Sequence, residues 1–143
     1  EEASSDAETP LEYAIAPVKD QLIINATDDN KYVSNFYTKK AKLKTAQNSS
    51  EATDEDILKY KYMDSISWDM TDLYAQRRAI QSDTTLSKKE KYRQANEIKK
   101  QINALAKKGL DNYNDVQVYG DTGVVNGIRY KKGKDGKWTK QRS

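Results

Sequence analysis

Two helix-start signatures separated by one short break constrain this chain more than anything else in it. The first is "TDED" at residues 53–56, where Thr53 can accept from the backbone three residues on; the second is "SKKE", where Ser87 and Glu90 can form a reciprocal capping box. Between them come Ile57, Met63, Ile66, Met70, Leu73 and Ile80, with steps of three and four residues from Met63 to Leu73, until "SDTT" breaks the stripe. Beyond it Tyr92, Ala95, Ile98, Ile102, Leu105 and Gly109 recur every three or four residues. Gly109 is expected to stop this second helix in a left-handed C-cap, with Lys107 and Lys108 at the negative end of the helix dipole. Two helices joined by about five residues are forced antiparallel, so 54–110 is expected to be a helical hairpin.

The flanks are less determined. Residues 1–9 read as a solvated acidic arm. Thr9, Pro10 and Glu12 then start a short helix of Leu11, Tyr13, Ala14 and Ile15, which Pro17 kinks or ends. "VKDQLII" either resumes a helical turn or runs extended, with Leu22, Ile23 and Ile24 buried in both cases. A capping cluster at Thr27 and Asp28 precedes Val33, Phe36, Lys40 and Leu43 at helical spacing, so 10–46 is an N-terminal helical segment. The polar "TAQNSSEA" supplies a linker at 47–53. In the tail, 111–143, apolar and basic residues alternate around Ile128 and Tyr130, and Asn126-Gly127 and Asp135-Gly136 are hairpin signals. Two or three strands are expected there, with Tyr130 and Trp138 as a cross-strand aromatic pair. So small a sheet must pack on the hairpin or on another subunit. The expected class is therefore mainly α: an antiparallel helical hairpin with additional N-terminal helices and a small C-terminal β-meander.

Composition narrows the chemistry. With no cysteine and no histidine, the chain has no thiol nucleophile, no disulfide and no usual general base near neutral pH. No apolar run reaches the length of a membrane span, so no transmembrane segment is expected. A third of the 143 residues are charged, which points to a thin or elongated core or one completed by partners. Ten of the thirteen aromatics are tyrosines, which pack a ring while keeping a hydroxyl wet. Tyr32, Phe36, Tyr37, Tyr60, Tyr62, Tyr130 and Trp138 are accordingly the expected interface residues.

Charge comes in blocks. Residues 1–30 carry eight acids against one base, 54–86 seven against four, and 87–110 two against eight. The hairpin's two helices should therefore present complementary flanks. The carboxylates at 28–29 and 54–56 could bind a hard cation, but they sit where helix caps belong and lack calcium-loop spacing. The glycine-rich "GDTGVVNG" (120–127) lacks a phosphate-loop ending and reads as a turn. Lys88, Lys89, Lys91, Arg93, Lys99 and Lys100, with Lys131 and Lys132 of the tail, could contact phosphate without sequence preference; a solvated helix face is the more frequent explanation of such a pattern. No residue is a candidate for catalysis, and neither a metal nor any other cofactor is expected.

"LYAQRRAIQSDTTLSKKEKYRQANEIKKQINALAKKGLDNY" (73–113) resembles a helical hairpin that recurs near the C-termini of very large tailed-phage proteins, the large polyvalent proteins and some internal virion or ejection proteins. The pattern is "L-x-x-x-R-x-x-I", a "D-x-x-L-S" turn, then "K-x-E-K" and "I-x-x-Q-I-N-x-L-A". Leu73, Arg77, Ile80, Asp83, Leu86, Ser87, Glu90, Lys91, Ile98, Gln101, Ile102, Asn103, Leu105 and Ala106 fill it, over less than a third of the chain. The resemblance implies a non-enzymatic structural component of a virion, lying in the capsid interior or at the portal vertex. It also implies that the chain is the end of a longer one, which would account for its opening on "EEASSDAETP" without a methionine. Its expected partners are other virion proteins or copies of itself. The alternative is a basic adaptor that binds nucleic acid non-specifically.

Overall fold

The computed structural model describes residues 31–142. Three helices come first: α1 (Val33–Gln47), α2 (Asp54–Ser82) and α3 (Lys88–Asn112). Four strands follow: β1 (Val116–Tyr119), β2 (Thr122–Val125), β3 (Ile128–Lys132) and β4 (Trp138–Lys140). They form one antiparallel meander in the order β1-β2-β3-β4. The expectations for residues 1–30, including the helix after Thr9 and the cap at Thr27 and Asp28, lie outside the described residues.

The long helices begin where their caps are written. At α2 the Thr53 hydroxyl accepts from the Asp56 amide at 3.1 Å, and the Asp56 carboxylate accepts from the Thr53 amide at 3.0 Å. Both partners of the capping box are in place, and three acidic residues occupy the positive end of the helix. At α3 only half of the expected box forms. Ser87 Oγ accepts from the Glu90 amide at 3.1 Å. The Glu90 carboxylate turns outward instead, to Arg93 and Gln94.

The N-terminus of α1 has no side-chain cap of its own. Asn103 of α3 supplies one, its Oδ1 accepting from the Tyr32 amide at 2.9 Å. An orphan donor is thus satisfied across the bundle rather than along the chain. From this anchor α1 ascends beside α3. Phe36 lies at Gly109, and the Lys39 ammonium stands 5.5 Å from the Tyr113 ring centre.

Gly109 corrects an expectation. It does not end α3, which runs on to Asn112, and it is buried inside the helix. A Cβ placed there would stand 2.5 Å from a ring carbon of Phe36 and 3.0 Å from Met63 Sδ. The glycine lets all three helices meet. Nor does Tyr92 begin the buried stripe of α3: it is 72% exposed, and the stripe is Ala95, Ile98, Ile102, Ala106 and Gly109.

On α2 the buried residues include Leu58, Tyr62, Met63, Ile66, Met70 and Tyr74, a wider arc than a single seam. This helix packs on α1, α3 and the sheet at once, so no one-sided stripe could describe it. Lys40 of α1 is buried as well. Its ammonium lies 3.3 Å from the Asp64 carboxylate and 5.2 Å from the centre of the Tyr60 ring, so a charge at an apolar-spaced position is held by partners on α2.

The meander has four strands because "GDTGVVNG" is not a turn but a strand between two turns. Gly120-Asp121 joins β1 to β2, and Asn126-Gly127 joins β2 to β3. Asn126 and Gly127 both have positive φ, 48° and 79°, as a two-residue hairpin of the right twist requires. Tyr130 and Trp138 are not directly opposite each other, since Tyr130 faces Lys140 and Trp138 faces Lys132. Both rings are buried with Val125 and Leu58 in the common core. The sheet is fastened at Asp54, the first residue of α2, whose Oδ1 accepts from Trp138 Nε1 and from Lys132 Nζ, each at 3.3 Å.

Candidate functional site: a basic groove at the turn end of the hairpin

A groove of about 360 Å³ opens where the C-terminal end of α2 meets the first turns of α3. From α2 it is lined by Arg77 and Gln81. From α3 come Lys88, Lys91 and Lys99, with Tyr92, Ala95 and Asn96 between them. At 100° per residue these α3 positions fall on one face of the helix. Among the described residues that line it, four are cations and none is a carboxylate, although Lys91 stands close enough to Asp83 to help lower its pKa. Arg77 is buried at 6% exposure, and that burial lowers its pKa, with the Tyr74 ring beside it acting in the opposite direction.

The phosphate-contact candidates divide sharply. Lys88, Lys91 and Lys99 share the groove. Lys89, Arg93 and Lys100 lie roughly 100–140° round the helix from Lys88 and are exposed. Arg93 pairs with Glu90, and Lys100 reaches Glu97 at 3.8 Å. Lys132 pairs with Asp54 at the opposite end of α2, roughly 35 Å from Arg77 by helical rise. Lys131 projects from the same strand, exposed. The basic residues of the hairpin and of the tail therefore do not form one surface.

Little of the complementarity that the charge blocks suggested joins the two long helices, where Lys91 of α3 helps lower the pKa of Asp83 at the end of α2. The α3 pairs Arg93–Glu90, Lys100–Glu97 and Lys107–Asp111 all close within α3. The α2 carboxylates Asp64 and Asp54 turn to α1 and to β3. What α2 brings to the groove is a further cation, Arg77. Of the "DED" carboxylates, Asp56 likewise has a structural partner in Thr53, and Asp54 has two in Trp138 and Lys132. Among the described residues no group of three or more acidic side chains is placed to hold a metal ion.

The aromatic interface candidates mostly belong to the chain's own interior. Phe36, Tyr37, Tyr62, Tyr130 and Trp138 are buried in the core, and Tyr32 and Tyr60 are partly buried against it. Burial raises the pKa of Tyr37, Tyr62 and Tyr74, and pushes Tyr130 up to about 12. Among the described residues the large apolar side chains left outside are Trp68 at 51% exposure, Tyr92 at 72% and Tyr119 at 66%. Sequence reasoning passed over Trp68 and Tyr119 because neither sits in a motif. Arg77 was visible only as part of the hairpin pattern, not as a groove residue.

Among the described residues no helix is long and apolar enough to cross a membrane. No protein-family model matches the chain, and comparison with curated proteins and with solved structures gives no match.

Proposed function

We propose that the chain is a non-enzymatic structural component of a tailed-phage virion. It holds its place, inside the capsid or near the portal, through contacts with other virion proteins or with copies of itself. The likeness of residues 73–113 to the phage hairpin supports this reading, and so does what the matched residues do. Ser87 caps α3, Ile98, Ile102 and Ala106 form its buried stripe, and Asn103 caps α1. They serve a scaffold. The observation that carries the reading is Trp68, half exposed in the middle of the long central helix, where a tryptophan has the size and the polar handle of an interface anchor. Light scattering over a concentration series, with and without virion extract of the encoding phage, tests it. Wild-type chain should form a defined complex and Trp68→Ala should not. Equal behaviour of the two proteins would remove the argument.

The groove favours a second reading, a basic adaptor for nucleic acid, because it gathers Arg77, Lys88, Lys91 and Lys99 beside the exposed Tyr92 ring. Affinity for a single-stranded oligonucleotide should then fall steeply with added salt and weaken in Lys88→Glu/Lys91→Glu. Binding indifferent to salt would refute it.

A further inference from the structure

We propose that β1 is a pairing edge for a second copy of this chain. Two β1 strands meet antiparallel about a two-fold axis and join the two meanders into one continuous sheet. The surface is separate from Trp68, and the argument for it does not rest on the virion reading.

Hydrogen-bond accounting comes first. Asn126 N donates to the Asp115 carbonyl at 2.9 Å, so Asp115 and Asn126 are a bonded pair of the β1–β2 ladder. Bonded and non-bonded pairs alternate along an antiparallel ladder. Gln117 opposite Val124 and Tyr119 opposite Thr122 are therefore bonded pairs as well. The N–H and C=O groups of Val116 and Val118 point the other way, out of the sheet. β1 is an outer strand, and no hydrogen bond from a described residue takes these groups up.

The two edges of the meander differ. Natural sheets blunt an exposed edge with charge, shortness or a covering element, because an open one pairs with other chains. β4 is blunted: it has three residues, and Lys137, Lys140 and Arg142 stand exposed in it or beside it. Gln141 N donates to the Arg129 carbonyl and Gly133 N to the Lys137 carbonyl, so the outward amides of β4 are those of Trp138 and Lys140. β1, Val-Gln-Val-Tyr, has no charge and no proline, and its valines and tyrosine favour strands. One open edge per chain closes on a second such edge and goes no further.

β1 is also complementary to itself. With Gln117 opposite Gln117 of the second copy, Val116 lies opposite that copy's Val118, and Val118 opposite its Val116. Each outward N–H then meets a C=O, and none of the four residues' outward groups is left over. Like charges do not face each other, since Asp115 comes opposite Tyr119 of the second copy. The Tyr119 ring is 66% exposed, and its hydroxyl donates to Gln117 Oε1 at 3.0 Å. In the paired sheet it lies diagonally across from the second copy's Gln117, within reach of contact. The seam is short, so the pairing is weak and depends on concentration.

Amide hydrogen exchange of the full chain, followed by NMR at low salt over a series of protein concentrations, tests the proposal. Val116 and Val118 should exchange several-fold more slowly at the high end, while Gln117 and Tyr119, already bonded to β2, should not change. Gln117→Lys sets two ammonium groups opposite each other at the two-fold axis, on the exposed face of the sheet. It should abolish the concentration dependence and leave the helical circular dichroism unaltered. Exchange at Val116 and Val118 that ignores concentration would overturn the proposal, and so would slowing that persists in Gln117→Lys. Slowing shared by Trp138 and Lys140 would mean that β1 pairs with β4 in an open-ended array, which also overturns it. The readout is local to β1, so it stands whichever way Trp68→Ala turns out.

Discussion

Gly109 sits inside α3 with Phe36 and Met63 closing on it, so the ordinary advantage of alanine in a helix is reversed there. Alanine gains about 1 kcal/mol of helix propensity over glycine, but its methyl would meet the Phe36 ring at 2.5 Å. Overpacking of that kind costs about 1–3 kcal/mol. Gly109→Ala should therefore gain nothing and lose up to about 2 kcal/mol in urea unfolding, and in a Phe36→Leu background the loss should shrink, because the two residues share one contact. A stabilised Gly109→Ala would mean that the three helices are not held as tightly as this geometry requires. Lys40 makes a related point with charge. Its ammonium is buried beside Asp64, which is itself 31% exposed. Removing the carboxylate takes one charged partner from a buried cation, whereas removing the cation removes its desolvation penalty as well. Asp64→Ala should cost on the order of 2 kcal/mol, below the ~3–5 of a fully buried pair. Lys40→Met, similar in volume, should be near neutral or stabilising. A thermal-melt comparison in which Lys40→Met is the worse of the two would contradict the assignment.

The turn between α2 and α3 is an element whose acid sensitivity can be read directly. Asp83 accepts from the amide and the hydroxyl of Thr85, bonds that hold its carboxyl below the usual range. Arg93, then Gln94, draws Glu90 from 4.5 down to about 2. A carboxylate with a depressed folded pKa adds stability that is fully present above its unfolded value and is lost as pH falls through the folded one. The turn's contribution should thus be intact above about pH 4.5 and fade toward pH 2. Both groups face water, so the effect is small and screened by salt. Glu90→Gln should flatten the drop in melting temperature across that window; an unchanged slope would show that Glu90 is not coupled to folding. This element was also the most legible part of the chain, because caps and breakers act through neighbours in sequence. The starts of α2 and α3 follow from Thr53 and Ser87, and the β2–β3 turn from Asn126-Gly127. What local chemistry could not show is what distant residues decide. Gly109 after two lysines has every mark of a helix end until Phe36 arrives from another helix. Tyr37, Tyr62 and Tyr130 suit an interface until the chain folds over them. The groove was half visible, since the spacing of Lys88, Lys91 and Lys99 already puts them on one face, but Arg77 joins them only once the hairpin closes.

At the scale of the whole molecule, the question is whether the helices and the small sheet are one cooperative unit or two. A sheet of four short strands needs its apolar face covered to be stable. Here they lie against the N-terminal half of α2: a Cβ on Gly123 would come within 2.3 Å of Leu58 Cδ1, and Val125, Tyr130 and Trp138 belong to the same buried cluster as Leu58 and Tyr62. Polar ties bind the same junction, with Asn126 Nδ2 donating to the Tyr62 hydroxyl at 3.1 Å and Asp54 receiving Lys132 and Trp138. The buried side of the sheet is therefore part of the helices' core, and losing it would expose Leu58 and Tyr62 together with the strands. Such coupling makes partial unfolding costly at either end, so the two parts should melt together. The chain has two tryptophans, Trp68 on the helix surface and Trp138 in the sheet, which provides the test. In Trp68→Phe, a substitution at an exposed site, fluorescence reports Trp138 alone while circular dichroism at 222 nm reports mainly the helices. The two transitions should coincide in midpoint and width. A fluorescence transition at lower temperature would show the sheet leaving first, and Leu58 and Tyr62 would then be a face that the helices can expose without unfolding.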